Sequence, residues 1–146
     1  MATQQIRALF NLPKNENIYD DFSCNYNSLP GRIYLSQSYL CFYSTLLGKT
    51  TKLILRFDLT TKLYKSNNKF SKSIKMHVKP EKKGGEQAST EDEEQIYRFY
   101  SFHERDFTFK YIRRLWTNVS PFAGEDDSSE PSETEDTAPA SAYIAA

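Results

Sequence analysis

The chain has 146 residues, 38% hydrophobic and 14% aromatic, which suits one domain built around a single core. Its formal net charge of zero hides two unlike parts: residues 1–120 hold all 19 Lys and Arg and 12 of the 19 Asp and Glu, whereas residues 121–146 hold seven acids and no base. No run approaches the roughly 20 apolar residues that cross a bilayer, and Met1 to Asn11 has no apolar stretch behind a positive start, so no secretory signal is expected.

Taken in chain order, the body reads as short strands. Phe22 to Tyr26 is a candidate first strand, followed by turn chemistry at Ser28-Leu29-Pro30-Gly31, where Gly31 is expected to supply turn geometry. Ile33 and Leu35 alternate with polar neighbours over Arg32 to Ser36. After a tight turn at Ser36-Gln37-Ser38, the run Tyr39 to Thr45 places Leu40 and Phe42 on one face, and Leu47-Gly48-Lys49 breaks it. Leu53, Leu55 and Phe57 alternate over Lys52 to Phe57, and Leu59 to Tyr64 follows closely. Ile74, Met76 and Val78 alternate with Lys75, His77 and Lys79, and Tyr97 to Phe102 is an aromatic last strand. Lysine spacing of three or four residues from Lys62 to Lys82 would also suit a helix. The turn signal Ser66-Asn67-Asn68 favours strand, turn, strand. About seven strands result.

The period then changes. Phe107, Tyr111 and Leu115 recur at every fourth position, with Ile112 and Trp116 widening the stripe, so a helix of about three turns is expected from near Phe102 to near Val119. Ser101 and Glu104 match a capping box. Such a helix can close the end of a bent sheet and bury Trp116. Residues from about 80 to 95, with Gly84-Gly85 and four consecutive acids at 91–94, read as a solvated loop. Residues 120–146 read as an acidic disordered tail, too poor in apolar residues to offset the entropy of ordering.

Three ordered blocks carry a family resemblance. Gly31 to Ser44, "GRIYLSQSYLCFYS", resembles the signature hairpin of GRAM domains. Upstream, "FNLPKNE" and "DFSC" resemble the family's leading segment and first strand; downstream, "SFHERDFTF" followed by Leu115-Trp116 resembles its last strand and closing helix. The resemblance spans roughly residues 7 to 116 and identifies residues 1–119 as a GRAM-like domain. It implies a mainly β, pleckstrin-homology-like bent barrel of about seven antiparallel strands capped by one C-terminal α-helix. It also implies binding to phosphoinositides or other anionic lipids, at the cytoplasmic face of intracellular membranes. The stretch Cys41 to Phe57 resembles the GRAM domains of TBC-type Rab GTPase activators. No TBC-like catalytic segment accompanies it, so no GTPase-activating activity is inherited.

The residues themselves offer no legible active site, cofactor or metal set. His77 and His103 are the only histidines, and no H-x-x-x-H or C-x-x-C spacing occurs. Cys24 and Cys41 lie in apolar or aromatic runs, which favours buried, reduced thiols over the one disulfide they could form. Arg105-Asp106 reads as a local ion pair or cap. The basic segment stands apart. From Lys49 to Lys83 there are eleven bases against Asp58 and Glu81, a net +9. Lys49, Lys52, Lys62, Lys65, Lys69, Lys72 and Lys75 are therefore the candidate lipid-binding residues. Each base near an anionic leaflet contributes about 1 kcal/mol. Solubility and protection of sheet edges are the competing explanations. A protein-interaction role, with a peptide between an edge strand and the helix and the acidic tail folding back as a mask, is the second reading. Nucleic-acid binding by interleaved lysines and aromatics ranks last.

Overall fold

In the computed structural model, the described residues are 3–67, 72–81 and 94–123. An N-terminal helix α1 (Thr3–Phe10) precedes β1 (Ile18–Tyr26), β2 (Leu29–Ser36), β3 (Tyr39–Leu46) and β4 (Lys49–Arg56). A 3-10 turn at Phe57–Leu59 leads to β5 (Thr60–Asn67), β6 (Lys72–Val78), β7 (Gln95–Tyr100) and α2 (Arg105–Val119). The strands form one antiparallel sheet in the order β4-β3-β2-β1-β7-β6-β5. Among the described residues, the two meanders, β1–β4 and β5–β7, pair only at Asn25↔Tyr100 and Tyr26↔Phe99. That narrow junction lets the sheet fold over on itself around one core.

Alternation fixes which side chains face inward. Ile33, Leu35, Leu40, Phe42, Ile74 and Met76 are fully buried between the two halves. Helix α2 closes the core with Ile112, Leu115 and Trp116, and the Trp116 Nε1 donates to the Thr60 carbonyl at 2.8 Å. The seven-strand body and closing helix thus match the sequence reading. The buried stripe of α2 is rotated from the expected one, however. Thr108, Ile112, Leu115 and Trp116 are buried, while Phe107 is 53% exposed and packs sideways on Phe22 and Tyr111, with ring centroids 6.1 and 6.2 Å away.

Two local expectations, the Gly31 turn and the capping box, are corrected, and two features beyond the sequence reading appear. Helix α1 was not anticipated; its Ile6 and Phe10 pack with Tyr34 and Cys41 on the outer face of β2–β3, forming a second apolar cluster. Glu16 anchors the same region from a buried position, its Oε2 accepting from the Ser36 hydroxyl at 2.8 Å and the Ser38 amide at 2.7 Å. The first hairpin turns at Asn27-Ser28, both with positive φ, so Gly31 lies inside β2 instead of in the turn. A Cβ at Gly31 would strike the Tyr43 carbonyl oxygen and stand 2.7 Å from the Phe42 ring, so close strand approach is what requires glycine there. The capping box does not form. Ser101 has φ 63° and its hydroxyl accepts from Asn25 Nδ2, while the helix starts at Arg105 with no side-chain cap bond.

Both cysteines are free and buried, Cys24 in the main core and Cys41 in the cluster under α1. Lying on opposite faces of the sheet, they cannot meet. The expected loop at 80–95 falls mostly outside the described residues, as does the tail beyond Ala123. The described chain past Val119 is tied down where the Ser120 hydroxyl donates to the Thr60 carbonyl at 3.2 Å.

Candidate functional site

The basic segment that is continuous in sequence is divided in space. Cross-strand register assigns its members to separate surfaces, because partners directly opposite in an antiparallel sheet share a face.

The outer face of β5–β6–β7 carries two rows. Lys62 faces His77, which faces Ile96; Tyr64 faces Lys75, which faces Arg98. Lys62 and Arg98 are exposed, and Lys75 lies half-buried with its Nζ 6.0 Å from the Tyr64 ring. Two bases, Lys75 and Arg98, therefore sit directly opposite each other on neighbouring strands. Like charges in that relation destabilise a sheet by a few tenths of a kcal/mol to about 1 kcal/mol. Arg98 was missed in the sequence because it lies far along the chain from the lysine run; only the β6–β7 register brings it in.

The same face holds a hydrogen-bonded chain. The Tyr64 hydroxyl meets His77 Nε2 at 3.0 Å, His77 Nδ1 is 3.5 Å from Glu94 Oε1, and Glu94 Oε2 accepts from Thr61 at 2.8 Å. Burial, followed by the positive field of Lys62, pulls the His77 pKa below its usual value, with Glu94 acting in the opposite sense. Tyrosine, histidine and carboxylate are all present, but they span an open sheet face and the carboxylate is already engaged by Thr61. The arrangement ties β5 to β6 and to the residue that precedes β7.

Lys65 and Lys72 face the other way, toward the start of α2. Lys65 Nζ is 3.1 Å from Asp106 and 5.5 Å from the Phe109 ring centroid, and this contact holds the Asp106 carboxyl below the usual carboxylate range. Arg105 donates to the carbonyls of Ser66 and Ser73 and to Asn67 Oδ1, so it staples α2 to the β5–β6 hairpin. The expected Arg105–Asp106 pair is present at 3.7 Å. Lys72, Glu104, Asp106 and Lys110 line a hollow of about 510 Å³ of mixed charge.

Lys49 and Lys52 belong to the other half of the sheet. Lys52 Nζ donates to the Leu9 carbonyl of α1 at 3.0 Å, and Lys49 stands at the β3–β4 turn beside the exposed Leu46 and Leu47. Lys69 lies outside the described residues. Lys62 and Lys75, of the seven candidates, thus share the grid with Arg98.

The thiols are poor nucleophiles. Burial pushes the pKa of Cys24 and of Cys41 up to about 12. Among the described residues no group of His, Cys, Asp and Glu could hold a metal ion, and no helix is long and apolar enough to cross a membrane.

A seven-strand antiparallel sheet folded over on itself and closed by one C-terminal helix is the pleckstrin-homology-like architecture. The Vps36 N-terminal PH domain superposes with a TM-score of 0.52 at 12% identity, over 74% of this chain and 84% of that one. The C-terminal domain of an unknown protein from Leishmania infantum gives 0.56 at 18% identity, over 78% and 96%. Residues 4–121 match the GRAM domain, and the chain belongs to that family. Protein Aster-A of Homo sapiens is 34% identical over 120 residues, covering 80% of this chain and 15% of Aster-A. Protein VASCULAR ASSOCIATED DEATH 1, chloroplastic, of Arabidopsis thaliana is 32% identical over 119 residues, covering 78% of this chain and 18% of that protein. Membrane-anchored lipid-binding protein LAM5 of Saccharomyces cerevisiae is 26% identical over 113 residues, with 74% and 15% covered. The chain therefore spans less than a fifth of these relatives. The likeness of Cys41 to Phe57 to TBC-type activators finds no support, since the relatives found are of Aster and LAM type.

Proposed function

We propose that this chain is a non-catalytic membrane-targeting module that meets anionic lipid headgroups, phosphoinositides among them, through the outer face of β5–β6–β7. The observation that carries the reading is the Lys75–Arg98 register, with Lys62 in the adjoining row. Two bases set opposite each other, with a third in the adjoining row, concentrate positive charge on one face, which an anionic surface complements. The three bases together would contribute about 3 kcal/mol against an anionic leaflet, on the order of a hundredfold in affinity. The lipid-binding and membrane-anchored character in the name of LAM5 supports the same reading. The module would act at the cytoplasmic surface of intracellular membranes as a peripheral component, without a cofactor. The acidic segment 120–146 would compete with lipid for the basic face. No observation favours the Rab-activator or peptide-binding alternatives.

Co-sedimentation of the full chain with neutral, phosphatidylserine and phosphoinositide vesicles at low and high salt tests this. Binding confined to anionic vesicles and weakened by salt is expected. Preference for phosphoinositide over phosphatidylserine at matched charge supports headgroup selection. Equal or absent binding to neutral and anionic vesicles at low salt would sink the proposal.

A further inference from the structure

The β3–β4 hairpin ends in a two-residue turn, Leu47-Gly48, with φ 53° and 83°. Left-handed φ at both central residues is the requirement of a type I′ turn, and the residues that meet it without strain at the first position are Asn, Asp and Gly. The β1–β2 turn obeys that rule with Asn27. Leucine in the same slot clashes with its own backbone. It gains nothing from packing in exchange, because Leu47 is 93% exposed, and Leu46 beside it is 39% exposed. A strained, solvent-facing leucine that folding disfavours on both counts points to a use outside the fold.

The charge around the tip indicates what covers it. From Leu29 to Phe57 the chain has no acid and four bases, Arg32, Lys49, Lys52 and Arg56. Arg32 is paired with Asp21, Arg56 with Asp58, and Lys52 bonds the Leu9 carbonyl. Lys49, two residues past Leu47, makes no ion pair among the described residues. Two leucines on one narrow turn fall far short of the roughly 1,000 Å² that a stable protein interface buries. They suffice for a shallow apolar contact with a bilayer, beside a lysine suited to lipid phosphate.

We propose that the Leu46–Lys49 tip is a membrane-inserting wedge. Leu47 enters the boundary between headgroups and acyl chains, Leu46 follows in part, and Lys49 stays at headgroup level against lipid phosphate. The wedge rests on the membrane-targeting reading above and supplies an apolar contact from the other half of the sheet.

The test uses the full chain and two variants with phosphatidylserine vesicles. Leu47→Asn places the favoured turn residue at the tip, so it should raise the urea midpoint while lowering vesicle affinity about 10- to 100-fold, the range expected for withdrawing one buried leucine. The salt dependence of binding should stay that of the wild type, since no charge is lost. Leu47→Trp should show a blue-shifted emission quenched by acyl-chain-brominated lipid; Trp116, the one native tryptophan, is buried and supplies the unquenched background. A wild type that binds vesicles, with Leu47→Asn binding equally well or Leu47→Trp unquenched, overturns the wedge alone. In that case a stabilised Leu47→Asn would indicate a protein contact at the tip. A lower urea midpoint for Leu47→Asn overturns the strain argument and the wedge with it. A wild type that binds no vesicle overturns the wedge and the membrane-targeting reading together.

Discussion

Replacing Gly31 by alanine puts a methyl group between β2 and the facing Phe42 and Tyr43 of β3. In an unobstructed strand this change would stabilise the fold by about 0.5–1 kcal/mol, because alanine loses less backbone freedom on folding. Here the added Cβ meets the Tyr43 carbonyl oxygen and lies 2.7 and 2.9 Å from two Phe42 ring carbons. Phe42 is fully buried and the oxygen belongs to the neighbouring strand's backbone, so neither can step aside cheaply. Overpacking of this kind costs about 1–3 kcal/mol, or more where backbone must shift. The net expectation is a loss of about 1–2 kcal/mol, near 5 °C in Tm for a domain of this size. Urea unfolding followed by Trp116 fluorescence measures it. Beside this contact the Ser44 hydroxyl of β3 bonds the Pro30 carbonyl of β2 at 2.7 Å. An unchanged or raised midpoint would refute the close-approach account and restore the turn reading of Gly31.

Three further outcomes are expected. Trp116→Phe removes the donor to the Thr60 carbonyl and leaves a gap under α2, costing about 2 kcal/mol; a loss below about 0.5 kcal/mol by far-UV circular dichroism contradicts the role given to this side chain. His77 titrates below its ordinary 6.5 in the fold, so the unfolded chain takes up a proton that the fold resists. That contribution to stability is full above about pH 6.5 and declines as pH falls through that value toward the lower folded one. Urea midpoints at pH 7.5, 6.5 and 5.5 should show this decline in the wild type and a flatter profile in His77→Gln; identical slopes contradict it. Both thiols, with pKa values near 12, should resist a thiol reagent at pH 8 in the native protein and react once urea unfolds it. Rapid native labelling would show that the two clusters are not closed.

The strands were legible in the sequence because half-buried strands write their burial as alternation. Ile74, Met76 and Val78 are buried as that pattern requires, and Leu55 and Phe57 likewise. Helix α1 escapes the sequence reading: Ile6, Leu9 and Phe10 have helical spacing, but over eight residues that is too short to stand out, and the helix forms by packing on the outer face of β2–β3. The capping box failed because a left-handed φ turns Ser101 toward Asn25 instead of the helix. Spacing of four fits Phe107 to the core stripe, but the stripe's direction is set by Ile112 and Trp116 docking on the sheet. The candidate site was half legible. The excess of lysines is visible in the sequence, yet cross-strand register decides that Lys62 and Lys75 join Arg98 while Lys65 and Lys72 turn to α2. Leu47 passed as a mere breaker, since its strain and exposure exist only once the turn is formed.

On the proposed function, one basic surface, and not positive charge in general, meets the membrane. Lys62→Glu/Arg98→Glu and Lys72→Glu/Lys110→Glu change the net charge by the same amount at exposed positions, on the grid and beside α2 respectively. Affinity for phosphatidylserine vesicles at low salt should fall about a hundredfold or more for the first pair and stay within about threefold of the wild type for the second. Equal losses in the two variants, or a greater loss for Lys72→Glu/Lys110→Glu, would contradict the assignment of the outer face of β5–β6–β7.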